Sequence, residues 1–565
     1  MTKFYVEKLN FQQPKEIEKK YEELLSKPVH TADELTTWLK EASRFSDEIA
    51  EGLSGHYIDF QCQSDSEETK KAFEYDQKYI LPIVKRYEAL LDDKFLSSPA
   101  IELLDQSYYH EFIKSKQNSK ELFREENVEL EVEEDRLATN YFEHTGGLTV
   151  DWRGEEKTIS QLQEYMEDSN REVRKEAIEK IFNAFLSKKD ELQAIMTELI
   201  EIREKKAKNA NLANYRDYMF KKYERFDYTP DDCKKLAEAV RKHVKPLKER
   251  IQKEHQKEIG VDVYRPWDRK AVPNGQKPLK PFQDTDELVK KSATIFENMD
   301  PRFAELIHTM NKRGMLDLNS RKGKAPGGFC DSLPVSKLSF IFMNASNSHD
   351  DMITLLHEMG HCIHNDLKTT LPLSLYRDTP MESAELASMS MELMTMDQWD
   401  LFYESEADLT RAKKEQLEGI INFLPHGVII DQFQHWLYEN PDHTAEERNE
   451  KYFELSQSID SKVVDWSGYE EWLKHHWHMV LHIFEVPFYF IDYVIAQLGA
   501  VQLYKNYCEE PDKTLANYKK ALSLGSSKSL AEVYEAAGIK FDFSENMIKD
   551  LMAFVEEKLN ELDKK

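Results

Sequence analysis

The chain has 565 residues, 40% hydrophobic and 32% charged, with a formal net charge of −28. That length can bury a large core in two or three lobes, and the acidic balance argues against nucleic acid or an anionic membrane as partner. Its five cysteines, Cys62, Cys233, Cys330, Cys362 and Cys508, form no C-x-x-C pair; spacing therefore indicates neither a disulfide framework nor a cysteine-based zinc site, and the default compartment is reducing and cytoplasmic.

In chain order, the opening Met1–Lys8 lacks an apolar signal core. To about Asn127 the pattern is helical, rich in Lys and Glu, with Thr31 and Glu34 reading as a capping box. No site motif appears there. Thr145-Gly146-Gly147, Leu148 to Trp152, Arg153-Gly154 and Lys157-Thr158-Ile159 predict a short β-hairpin. A soft boundary at this hairpin divides a helical region, 1–155, from the remainder, 156–565. Ser169 with Glu172, and Thr229-Pro230 with Asp232, read as further helix starts. Pro266, Pro273, Pro278 and Pro281, with Asn274-Gly275, make residues 260–282 a loop excursion. Its Trp267-Asp268 is assigned packing and no chemistry.

Gly327-Gly328-Phe329-Cys330 follows. A glycine pair lets backbone groups approach a ligand, although an ordinary turn needs the same residues. Lys337–Met343, rich in Phe and Ile, predicts a strand, and an open strand edge can pair with the main chain of an extended peptide. Leu355–His364 then contains His357-Glu358-Met359-Gly360-His361. On a helix, residues four apart share a face, so two imidazoles can reach one Zn²⁺ while Glu358 stays free to move a proton. By composition alone such a motif arises in roughly one chain of this kind in fifteen, so its context decides. Met352, Leu355, Leu356, Met359 and Ile363 share one side of the predicted helix; Thr354, His357, His361 and His364 share the other. Ser348 is placed as N-cap and Asp350 and Asp351 in the first turn. Gly360 lies at the flank, where another segment can come close.

A catalytic zinc site needs a third ligand and an open position. Thr379-Pro380 predicts the N-cap and first residue of a second helix, on which Glu382, Glu385, Met389 and Glu392 share one side. A carboxylate stripe on an Ala/Leu/Met helix suits a surface that faces a metal.

The set His357-Glu358-x-Gly360-His361-x-x-His364 and Glu385-x-x-Ser388-x-x-x-Glu392 resembles the thimet oligopeptidase and oligoendopeptidase F family of zinc metallopeptidases. The resemblance implies Glu385 as third ligand, with Glu382 as runner-up on spacing alone. It implies Glu392 as a group that orients a ligand histidine, and His364 as structural. It also implies that the Gly327-Gly328-Phe329 segment contacts substrate; Cys330 is read as a small apolar residue.

Further on, Thr444/Glu447, Ser467/Glu470 and Ser529/Glu532 read as capping boxes. The apolar run Met479–Tyr504 contains His482, Glu485, Pro487 and Asp492. A membrane span would carry these at high cost, so a buried helix is expected. His482, Glu485, Tyr489 and Tyr493 recur at about one-turn spacing, and buried polar groups need partners, so the stripe is expected to face a polar cavity. A core helix with satisfied tyrosine hydroxyls is the alternative. The resemblance implies that His482, Tyr489 and Tyr493 bind substrate and stabilise the transition state.

The expectation is thus a mainly α, multi-lobed helical metallopeptidase with a small sheet beside the zinc helix and a deep substrate channel. Residues 156–565 would be catalytic, holding one Zn²⁺ through His357, His361 and Glu385, with Glu358 as general base. The resemblance implies short unstructured peptides as substrates, collagen-like ones among them, and is nearest to bacterial oligoendopeptidase F and Pz-peptidase. The rivals are an exopeptidase of the same fold, of carboxypeptidase or dipeptidase type, and a non-enzymatic helical peptide-binding protein.

Overall fold

The computed structural model describes residues 4–273 and 275–564, so Met1–Lys3 of the chain start and Asn274 of the predicted loop lie outside it. Helices dominate from Pro14–Ser26 to Glu545–Leu562. Capping boxes form at Thr31/Glu34, Thr229/Asp232, Ser348/Asp351, Thr444/Glu447 and Ser529/Glu532, each worth about 1 kcal/mol. Two expected caps are corrected. Asn170, not Ser169, accepts the hydrogen bond that caps Arg171–Leu186. Tyr469 precedes the short helix Glu470–Lys474, leaving Ser467 outside it.

The hairpin forms from β1 (Thr149–Trp152) and β2 (Glu155–Thr158), with Thr149 opposite Thr158. A second sheet contains β3 (Leu316–Asn319), β4 (Phe329–Leu333) and β5 (Leu338–Ala345) in the order β3-β5-β4. The strand before the H-E-x-x-H helix, β5, is therefore central: five of its residues, Ser339 to Met343, are buried. The edges belong to β3 and β4, and the first residue of β4, Phe329, pairs with Phe342.

The H-E-x-x-H helix, His349–Lys368, buries Leu355, Leu356, Met359 and Ile363 in the main core. The carboxylate helix, Met381–Met394, packs between it and Phe490–Glu509. Glycines make both contacts possible. A Cβ on Gly360 would lie 2.5 Å from the Ser388 Cα, and one on Gly499 would lie 2.8 Å from a Leu386 methyl. Both spacings are far inside van der Waals contact: alanine at 360 meets backbone and would push the carboxylate helix away, whereas alanine at 499 would shift the Leu386 and Tyr534 side chains.

The first helices form their own core, from Leu9 to Phe112, joined by Leu373 and Tyr376. Leu137 and Tyr141 of Glu125–Thr145 belong instead to the main core. Within the proline-rich loop, Asp268 is fully buried and receives Arg171 at 2.6 Å and Arg174 at 3.1 Å; packing is stapled by an ion triad there. A cleft of about 2480 Å³ opens between the hairpin, that loop and the start of Glu406–Glu439. It reaches Gly327 and the first turn of the H-E-x-x-H helix. Among the described residues no helix is long and apolar enough to cross a membrane.

Candidate active site

Two helices bring the predicted ligands together. His357 and His361 face out of the H-E-x-x-H helix, and Glu385 meets them from the carboxylate helix. Glu385 Oε2 lies 3.3 Å from His357 Nε2 and 3.6 Å from His361 Nε2. One donor atom from each of the three falls within 4.8 Å of the others. Glu382 does not join them.

The carboxylate helix begins one residue later than its sequence signals predict. Pro380 is the N-cap, with extended ψ of 142°, and makes no side-chain cap bond. Thr379, the expected cap, instead accepts a hydrogen bond from Lys368 Nζ at 3.2 Å.

The outer contacts fix which atoms face the cluster. His357 Nδ1 and Glu392 Oε1 are 2.6 Å apart, and Gln416 Nε2 donates to Glu392 Oε2 at 2.8 Å. With Nδ1 occupied by a carboxylate, the Nε2 lone pair is left for a cation. Glu385 is held at both oxygens: Ser388 Oγ donates to Oε2 at 3.0 Å and Tyr489 OH to Oε1 at 2.7 Å. His364 is buried, lies outside the cluster, and has no hydrogen-bond partner at Nε2 among the described residues.

Electrostatics follow from this crowding. Burial opposes ionisation of Glu385, but His361, His357 and Tyr489 together hold its carboxyl down to about 2. Burial also opposes a charge on His357, yet the flanking Glu385 and Glu392 push it well up. Burial takes His361 down to about 4. Glu358 is pushed up to about 7, first by burial, with Glu385 and Glu392 adding and His357 subtracting.

Opposite the cluster stand His482, Tyr489 and Tyr493. The His482 and Tyr489 rings stack at 5.7 Å, and Tyr493 OH lies 3.5 Å from His482 Nε2. Tyr493 feels the charges of both Glu385 and Glu358. These residues do not lie on one helix. The run breaks into Leu481–Glu485 and Phe490–Glu509, with Pro487 and a left-handed Phe488 (φ 66°) between them. Proline cannot donate within a helix, and this break turns the histidine toward the tyrosines. Glu485 leaves the expected stripe and is exposed.

Sequence reasoning missed the scaffold of that break. Arg203, fully buried, donates to the carbonyls of Ile483 (3.0 Å) and Phe484 (2.5 Å) and pairs with Glu134 at 2.7 Å. Arg225 donates to the Phe488 carbonyl at 2.6 Å, and Gln434 Oε1 accepts from Phe488 N at 2.7 Å. Such bonds hold a residue in a backbone region that costs roughly 1–3 kcal/mol. Gln416 was missed as well, and only Ser388 carried a signal, as the serine of E-x-x-S.

Gly327 and Gly328 are exposed, and Phe329 is half-buried with its ring against Phe342 at 4.9 Å. Gly327 has φ of 97°, a left-handed conformation that favours glycine. The loop is tied to an N-terminal helix through Ser64 N to Gly323 O at 2.7 Å and Ala325 N to Gln61 O at 2.8 Å. Cys330 Sγ lies 3.5 Å from Cys362 Sγ, and all five cysteines are free.

A helical fold that closes two histidines of H-E-x-x-H and a later glutamate around one point has the donor arrangement of the H-E-x-x-H metallopeptidases. Residues 164–553 match the model of peptidase family M3, and the chain belongs to that family. It is 23% identical over 418 residues to the chromosomal oligoendopeptidase F of Lactococcus lactis subsp. cremoris, covering 71% of this chain and 65% of that protein. It is 22% identical over 420 residues to oligopeptidase PepF of Bacillus subtilis (strain 168), covering 73% and 60%. The chain thus spans less than two thirds of the length of these curated relatives. A solved structure of Pz peptidase A with an inhibitor superimposes with a TM-score of 0.92 at 25% identity, covering 99% of this chain and 98% of that one.

Proposed function

We propose that this chain is a zinc-dependent oligoendopeptidase, hydrolysing internal bonds of short unstructured peptides, collagen-like ones among them, in the cytoplasm. The observation that carries this reading is the convergence of His357 Nε2, His361 Nε2 and Glu385 Oε2 beside Glu358. Two imidazoles and a carboxylate are a catalytic zinc donor set with one position left open. The His357 and His361 side chains are 19% and 17% exposed, so water and substrate have access. When bound, the ion would lower the pKa of a water and polarise a carbonyl.

Glu358 takes the proton of the attacking water and delivers it to the leaving amine. Its upward-shifted carboxyl suits both halves of that transfer. His482 and Tyr493 donate to the oxyanion, each such donor being worth about 3 kcal/mol. Tyr489 keeps Glu385 turned toward the imidazoles, since its hydroxyl is committed to Oε1. An extended peptide adds as a strand beside β4 and runs past Gly327, Gly328 and Phe329.

The test is cleavage of an internally quenched peptide, blocked at both ends, with and without chelator and alongside a folded protein. Chelator-sensitive internal cleavage with the folded protein intact is expected. Release of terminal residues only, from unblocked peptides, would make the chain an exopeptidase. No cleavage by zinc-loaded protein would leave a peptide-binding protein.

A further inference from the structure

A second cluster of metal-binding side chains lies away from the site above. Cys233 comes from the helix Pro230–His243, and Asp431 and His435 come from Glu406–Glu439. One donor atom from each lies within 4.8 Å of the others. Asp431 and His435 stand four residues apart on one helix face, the same spacing that pairs His357 with His361. Asp431 Oδ2 and His435 Nε2 are 3.2 Å apart. Tetrahedral zinc ligands at about 2.0–2.3 Å stand roughly 3.3–3.8 Å from one another, so this pair needs little movement.

The surroundings make the cluster unusual for a plain core. Cys233 and Asp431 are fully buried and His435 is 1% exposed. Among the described residues, Asp431 Oδ1 and both ring nitrogens of His435 have no hydrogen-bond partner. Outside the cluster, Gln432 Nε2 donates to Asp431 Oδ2 at 3.0 Å. The His435 ring sits between Phe220 and Phe488, at 6.1 and 5.4 Å. Buried polar atoms are almost always paired, and here the unpaired ones share one point. An Asp431–His435 ion pair alone would still leave Asp431 Oδ1 and His435 Nδ1 unsatisfied.

We propose that Cys233, Asp431 and His435 form a second, buried three-ligand zinc site, its fourth position left to a water, that pins the helix Pro230–His243 to Glu406–Glu439. Thiolate, imidazole and carboxylate form a donor set for Zn²⁺ rather than Mg²⁺ or Ca²⁺. One thiolate and one carboxylate balance the charge of the ion, so the occupied cluster is neutral beside the Arg225–Asp492 pair, whose charges already act on Cys233. Binding releases the Cys233 thiol proton to solvent and forms a sulfur–zinc bond. The ion would brace the Phe488 turn from behind, because His435 packs on Phe488 and Gln434 holds its backbone nitrogen. This site does not depend on the peptidase reading, and linear spacing gives no hint of it, since the cysteine is remote in sequence from the other two ligands.

The test uses full-length protein. Elemental analysis after dialysis should find two zinc ions per chain. Brief chelator treatment should remove the one at the accessible site and leave the buried one. Co²⁺-substituted protein should show a sulfur-to-cobalt charge-transfer band, which the nitrogen and oxygen donors of His357, His361 and Glu385 cannot produce. The band should persist in His361→Ala and Cys508→Ala and vanish in Cys233→Ala. One ion per chain with no sulfur band in the native protein would overturn the proposal, whether or not the variants fold. A second ion without the band, or a band that survives Cys233→Ala, would overturn it too. Loss of activity in His361→Ala with the band retained would separate the two sites.

Discussion

Glu382 and Glu385 leave one helix three residues apart, and both are buried, but different chemistry surrounds them. Glu382 accepts the Tyr228 hydroxyl at 2.5 Å and lies 3.8 Å from Arg225, which also pairs with Asp492 at 2.6 Å. Burial pushes the Asp492 carboxyl well up against the pull of Arg225, and the back of the helix already has a guanidinium between its two carboxyls. Glu385 has no fixed cation among the described residues. It meets two imidazoles, a serine and a tyrosine, and its own field with that of Glu392 draws a positive charge onto His357. A site that draws a proton to a point between two carboxylates favours a divalent cation there for the same reason. The front of the helix is built to receive a charge that the back already contains.

Substitutions should break or sharpen this contrast in graded steps. The largest effect is expected for Glu385→Ala: the accessible zinc is lost and turnover falls to background, as measured by metal analysis and peptide cleavage. Glu358→Gln should lower kcat by roughly 10²–10⁴-fold while metal content is unchanged, because Glu358 handles the proton and holds no ion.

His482→Gln should lower kcat by about 10²-fold, the scale of one lost oxyanion donor, with a smaller change in KM. Burial keeps the His482 imidazole down to about 4. Its proton is lost as pH rises through that value, so the side chain is neutral between about pH 5 and 8. The defect of His482→Gln should therefore be the same at both ends of that range, and a defect that appears only at the acid end would assign a charged role to His482.

Gln416→Leu should weaken zinc affinity by about 10–100-fold in a chelator competition, since it frees Glu392 from one of its two partners. The smallest effect on chemistry belongs to the back face. Glu382→Gln should retain zinc and activity and lose about 1–3 kcal/mol of stability in denaturant unfolding. Zinc loss in Glu382→Gln with retention in Glu385→Ala would invert the assignment of the two faces.

Much of the front face was legible in the sequence, because helices turn spacing into faces. His357 and His361 are one turn apart, the apolar back of their helix is continuous, and Gly360 marks the close approach that the Ser388 backbone makes. Periodicity could not separate Glu382 from Glu385, since both fall on one side of a helical wheel; their partners, Arg225 and Tyr489, come from distant segments. Periodicity also failed at Pro487, where a run read as one helix breaks, Glu485 swings out to solvent, and His482 reaches Tyr493. Of the buried arginines that hold the break in place, Arg203 looks in sequence like any surface Lys/Arg on an amphipathic helix and Arg225 like a loop residue after Tyr215–Lys222. Strand order was equally invisible: β5 has the hydrophobic run of a buried strand, but only the pairing shows that it is central and that β3 and β4 are the edges.

The most direct test of the account is an anomalous difference map from a crystal of the zinc-loaded protein, recorded at the zinc absorption edge. The account predicts a peak within bonding distance of His357 Nε2, His361 Nε2 and a Glu385 carboxylate oxygen, with Glu382 still on Tyr228 and Arg225. A map with no peak among those three side chains, or with Glu382 turned forward in place of Glu385, would contradict it.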